Sequence, residues 1–219
     1  HDHRTHWMGA ADPPAVQREP GKRHTIIADW TIQMRYADQD IVASGDLYWI
    51  PGSSPLPWYV LSLVIIGGVA SLALRPDWKK LMAGVFVGLV VADFATTGGF
   101  VLASADAGPG TLIGGAVPSL LAAGFALFGA SWLLKGKQDG LFIGLAPALF
   151  VAVFGGVTEL AVFSSSQVPF AFGALAARFF VALSLGLGIG VAAAAGLLFA
   201  RGGMGVGAGR AEPAIPSSG

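Results

Sequence analysis

The chain predicts an α-helical membrane protein: a bundle of five transmembrane helices preceded by an extracytoplasmic β-hairpin that forms part of a larger β-sandwich. Three observations carry this. Five long apolar runs, 56–74, 81–104, 112–134, 141–163 and 168–200, fill most of the chain after residue 55. About 20 apolar residues are needed to cross a bilayer core of roughly 30 Å, and each run meets or approaches that length. The connectors then differ in charge. Arg75, Lys79 and Lys80 follow the first run, Lys135 and Lys137 the third, and Arg201 and Arg210 the fifth, whereas 105–111 and 164–167 contain no Lys or Arg. Basic residues stay on the cytoplasmic side, so the N-terminal segment is expected outside and the C-terminus inside after five crossings. Lastly, residues 24–36 and 41–50 are rich in β-branched and aromatic residues and flank a turn at 37–40.

The same signals divide the chain into an extracytoplasmic segment (1–55), a transmembrane domain (56–201) and a tail (202–219). The outer segment opens on His1, His3, His6 and Met8, with His24 the one remaining histidine. Imidazoles beside a thioether suit copper, and cysteine is absent from the whole chain, which excludes thiolate metal sites, disulfides and Cys nucleophiles. With His1 as a free terminus, its amine, the following amides and His3 form a square-planar Cu(II) or Ni(II) site. With residues upstream, His3 and His6, or His1 and His3, remain as candidate pairs. The competing reading is a solvated loop in which Asp2 and Arg4 hydrogen-bond the histidines.

In the first strand Ile26, Ala28, Trp30 and Ile32 alternate with Ile27, Asp29, Thr31 and Gln33, giving one apolar and one largely polar face. A lone hairpin is marginal in water. Further strands are therefore expected, from residues upstream of His1 or from a partner chain. Export of this segment likewise implies a signal upstream of His1, because the first apolar run starts too late to be one. Pro51, Pro55 and Pro57 stiffen the linker that follows, and Trp58 and Tyr59 stand where an interfacial aromatic belt anchors a helix.

Ile27, Ala28, Asp29 and Trp30, a short turn, and then Gly45, Asp46, Leu47, Tyr48 and Trp49 resemble the closing hairpin of CopC-like periplasmic copper-binding β-sandwiches. The opening from His1 to Met8 and the junction from Trp49 to Trp58 resemble actinobacterial polytopic membrane proteins of uncharacterised function. The hairpin likeness covers the residues just named and implies copper binding outside the membrane. In CopC-like proteins a histidine near that turn contributes to the metal site; Asp38, Gln39 and Asp40 stand there instead.

Within the apolar runs three ionisable residues occur: Asp93, Glu159 and Arg178. Insertion scales set the cost of such a group near about 2.5–3.5 kcal/mol at mid-bilayer for Asp or Arg. None should therefore face lipid alone. Thr96, Thr97 and Thr158 are their polar neighbours. One reading is an ion or proton site. The other is a buried pair, Arg178 with Glu159 or Asp93, that locks helices together. Glycines at 84, 88, 140, 144, 186, 188 and 190 are expected to let helices pack closely. Pro118 and Pro147 fall inside helices, and the Gly-, Ala-, Pro- and Ser-rich tail is expected to be disordered and cytoplasmic.

Thirteen basic and thirteen acidic residues cancel, so charge gives no argument for nucleic acid. The expected partners are the bilayer and other membrane subunits. Three functions remain open: copper handling or delivery at the outer surface, a non-catalytic accessory subunit of a larger complex such as a copper-dependent oxidase or monooxygenase, and a small ion- or proton-coupled transporter. No nucleophile–base pair or phosphate loop supports an activity of the chain's own.

Overall fold

The computed structural model describes residues 7–104 and 108–202. The chain divides into two compact units, His1–Ser54 with Ser164–Gln167, and Pro55–Phe163 with Val168–Gly219.

In the first unit a short helix α1, Pro14–Arg18, starts with proline in its first turn and buries Val16. Strands β1 (His24–Tyr36) and β2 (Gln39–Trp49) pair antiparallel into a two-stranded sheet. The turn is tighter than the sequence suggests. Ala37 takes φ 54°, the left-handed value that a two-residue hairpin turn needs at its first position. Gln39 and Asp40 therefore belong to β2 and pair with Tyr36 and Arg35.

Ile26, Trp30 and Ile32 of β1 are half-buried, as are Ala43, Gly45, Leu47 and Trp49 of β2. Ala28, expected on that apolar face, is exposed, and Ile27 is half-buried instead. The cause is a β-bulge: the register shifts between Ile27 and Trp30, with Asp29 at φ 53°. Asp46 holds the bulge. Its Oδ1 accepts the Asp29 N–H at 2.8 Å and its Oδ2 accepts the Tyr48 hydroxyl at 2.8 Å. Trp30 then lies over Gly45, where a Cβ would come within 2.8 Å of the indole. Where the sequence reading expects further strands, the sheet among the described residues has β1 and β2 alone.

The second unit is helical. α2 (Leu56–Leu72) has Pro57 in its first turn, where a missing N–H costs nothing. α3 (Trp78–Ala103) and α4 (Pro109–Leu134) are continuous, α4 despite Pro118. α5 (Gly140–Val151) gives way to a π-helical segment, Ala152–Gly156, and then to a 3₁₀ stretch, Val157–Phe163. α6 spans Ala174–Ala200. Four of these stretches, 78–103, 109–134, 140–163 and 174–200, are long and apolar enough to cross a membrane. α2, with 17 residues, is shorter at about 26 Å.

Two departures from the sequence reading have local causes. The run 168–200 is not helical until residue 174, because its start is held by tertiary contacts. The Ala171 N–H donates to the Gly99 carbonyl at 2.9 Å, and the Phe170 ring fills the space that a Cβ on Gly99 would need. The run 141–163 is not one regular helix, and Gly155 and Gly156 sit at the break. Lacking Cβ atoms, they bring this backbone against Ser184 and Leu185 of α6.

α6 lies at the centre, packed on α2, α3 and α5, and α4 completes the bundle against α3 and α5. Its glycines face different neighbours: Gly186 and Gly190 meet Ile65 and Val69 of α2, and Gly188 meets Ala148 and Ala152. Gly129 and Gly140 bring the α4 and α5 backbones together, and Gly144 admits the Phe86 ring. Gly84 and Gly88 play no such part, with open space at the first and ordinary contact at the second.

The bulge makes a testable demand. Accepting two hydrogen bonds holds the Asp46 carboxyl below the usual carboxylate range, the Asp29 amide being the larger cause, and Asp46 in turn pushes the Tyr48 phenol up. The carboxylate's contribution is complete above its unfolded-state pKa and is lost as pH falls through the depressed folded value. The Asp29 amide proton resonance should therefore stay constant from neutral pH through the ordinary Asp range and move only below it. Asp46→Ala should shift it at every pH.

Candidate functional site: a buried acid in the helix bundle

One helical turn of α3, residues 93–97, carries the strongest chemical feature of the bundle. Asp93, Thr96 and Thr97 are spaced so that the carboxyl and both hydroxyls project from neighbouring positions one turn apart. Each hydroxyl meets a different helix. Thr96 Oγ1 donates to its own-helix carbonyl at Ala92 at 2.8 Å and lies 3.2 Å from Ser184 Oγ of α6. Thr97 Oγ1 accepts from Ser119 Oγ of α4 at 3.2 Å, and Ser119 also adjoins the Asp93 carboxyl.

These groups are sealed in. Asp93 is 3% exposed, Thr96 and Ser119 are each 2%, and Ser184 is fully buried. The Oδ2 atom of Asp93 has no hydrogen-bond partner among the described residues. An uncompensated buried carboxylate costs several kcal/mol. The chemistry open to such a group is to carry a proton or to hold a cation. Ser119, Thr97 and Thr96 can serve either role, since a hydroxyl both donates and accepts. All these donors are hard oxygens, which excludes a soft-metal site here.

The irregular half of the fourth long run borders the same cluster. A Cβ on Gly155, within the π-helical segment, would lie 3.2 Å from Ser184 Oγ. π-Segments recur at functional sites because they break the regular hydrogen-bond ladder. On the opposite side, between α3 and α4, a cavity of 250 Å³ is lined by Thr97 and Ser119 together with apolar side chains. The acid is thus flanked by a cavity on one side and an irregular helix on the other.

The other two candidates lie elsewhere. Glu159 sits half-buried in the 3₁₀ stretch and makes no ion pair among the described residues. Arg178, near the start of α6, donates from Nε to the Val162 carbonyl at 3.2 Å. The expected pairing of Arg178 with Glu159 or Asp93 is therefore not formed. 3₁₀ winding puts about 3 residues in a turn instead of 3.6, so Glu159 occupies a different face from the one a continuous α-helix would give it. Ser119 and Ser184 were not singled out in the sequence. Single serines inside apolar runs carry little signal, because a helix can bond such a hydroxyl to its own backbone.

Of the candidate copper ligands, His1, His3 and His6 lie outside the described residues, and Met8 is exposed. His24 Nε2 lies 2.8 Å from the Glu19 carbonyl. Among the described residues no group of three or more acidic or histidine side chains is placed to hold a metal ion. No protein-family model, no characterised protein and no solved structure matches the chain.

Proposed function

We propose that this is a multi-pass membrane protein whose bundle carries an exchangeable proton on Asp93, acting as a small ion- or proton-coupled transporter. The observation that carries the reading is a carboxyl oxygen sealed in an apolar bundle without a hydrogen-bond partner, beside hydroxyls from two other helices. A group in that setting is costly for structure alone, and intramembrane acids are characteristic of proton relays. Protein in nanodiscs subjected to a small pH jump should release or take up one proton that Asp93→Asn abolishes. The neutral isostere also removes a buried ionisable group, so its thermal unfolding temperature should equal or exceed that of the parent. Unchanged proton exchange in a folded Asp93→Asn variant refutes the reading.

The proposal includes five crossings, with the N-terminal segment outside and the C-terminal end inside, and α2 as the first span. Arg75, Lys79 and Lys80, with Lys135 and Lys137, support that orientation, as does the lack of Lys and Arg in 105–111 and 164–167. Because the chain contains no cysteine, single replacements give a clean readout. Gly108→Cys and Gln167→Cys should react with an impermeant thiol reagent on intact cells, and Lys137→Cys should not. Labelling at residue 137 from outside reverses the orientation.

A second reading rests on the outer unit. Three of the chain's four histidines fall within its first six residues, beside Met8. This supports copper binding, with the hairpin as part of a larger β-sandwich and the chain as a copper-delivery protein or an accessory subunit of a membrane complex. The half-buried Trp30, Ile32 and Leu47 face supports a covering element from the same protein or a partner. Replacing His1, His3 and His6 with Ala should abolish the copper retained after dialysis against a weak chelator. Equal copper content in parent and variant removes this reading.

A further inference from the structure

The cavity between α3 and α4 combines features that no other part of the bundle brings together. Phe94, Val101 and Leu112 form apolar walls, and Thr97 and Ser119 supply its polar atoms. Its volume of 250 Å³ suits a guest of modest size. Phe94 and Leu112 are 41% and 43% exposed, so the cavity opens on the outer surface of the bundle, the side that meets lipid in a membrane. Behind the hydroxyl pair lies Asp93, with its unpartnered Oδ2. No Lys, Arg or His pairs with Asp93 among the described residues.

An apolar guest would use the walls and leave the acid as it is. A cation without an apolar body would use the acid and leave the walls bare. A small organic ammonium ion uses both: its positive charge rests against hydroxyl lone pairs and the carboxylate behind them, and its hydrocarbon against Phe94, whose ring face also attracts cations.

We infer that the α3–α4 cavity binds a small lipophilic ammonium ion in competition with a proton on Asp93. This deepens the proton-exchange reading and rests on it: the ion binds the deprotonated acid, so each proton lost makes room for one cation. Binding free energies are reciprocally linked, so protonation must weaken the cation as much as the cation weakens protonation.

The test uses the full chain in nanodiscs of zwitterionic lipid, with benzyltrimethylammonium as the cation and benzyl alcohol as its neutral counterpart, both measured by equilibrium dialysis. The cation should bind saturably, and its affinity should fall as pH is lowered, approaching about tenfold per unit where Asp93 is protonated. Asp93→Asn should weaken it by at least about tenfold. Ala116→Phe, an added ring at an exposed lining position, should block the cavity without altering the acid. If Asp93→Asn does not fold, the pH dependence, Ala116→Phe and the neutral counterpart still decide the matter. Benzyl alcohol binding as tightly as the cation, with no effect of pH, would mean an apolar cavity filled by lipid chains and overturns the inference. Absence of saturable cation binding overturns it as well. Proton exchange at Asp93 without cation binding leaves the transporter reading standing and removes this one alone. Cation binding without proton exchange overturns the competition on which the inference is built.

Discussion

The bundle depends on the hydroxyl contacts made by one turn of α3. Apolar helices in an apolar solvent gain nothing from the hydrophobic effect when they associate, so packing and polar contacts must hold them. Thr96 reaches Ser184 on α6, and Thr97 takes the hydroxyl of Ser119 on α4. That single turn therefore ties the central helix to an outer one. Interhelical hydrogen bonds in membranes average only about 0.6 kcal/mol. Their value here lies in specifying register: the alternative alignments leave buried hydroxyls facing hydrocarbon.

Small residues supply the remainder. α6 contacts three helices because its glycines admit a different neighbour on each side, α2 at Gly186 and Gly190 and the α5 segment at Gly188. The same logic explains the irregular stretch after α5. Gly155 and Gly156 allow that backbone to approach Ser184 and Leu185 closely, in a segment wound first as π-helix and then as 3₁₀. The acid and the irregular segment share Ser184 as a common neighbour through Thr96. A change at Asp93 is thus two hydroxyls away from the least regular part of the bundle.

The outer unit follows different rules. Its hairpin has water-facing strands, and its order comes from a bulge fixed by a side chain. Asp46 satisfies both the Asp29 amide and the Tyr48 hydroxyl, while the Arg23 guanidinium lies 4.0 Å over the Tyr48 ring. By contrast, the exposed Arg35–Asp40 pair at 3.9 Å contributes little, as surface ion pairs do. The bulge also turns the apolar face, leaving Ala28 outside and seating Trp30 over Gly45.

The sequence by itself determined the helical bundle of long apolar runs, the hairpin over 24–49 and the presence of an acid at 93 inside the second run. These are local quantities: length, apolar content, period and the identity of one residue. It also marked Gly140, Gly144, Gly186, Gly188 and Gly190 as contact points, since small residues have few other uses in such helices. Only the tertiary structure decided which groups meet. It gave Asp93 the neighbours Ser119 and Thr97, joined Thr96 to Ser184, left Gly84 without a contact, and turned Arg178 to the Val162 carbonyl instead of a carboxylate. The physical reason is that helix faces are assigned by rotation and winding. A shift from α to π and 3₁₀ geometry moves Glu159 to another face, and nothing in the composition of residues 141–163 records it.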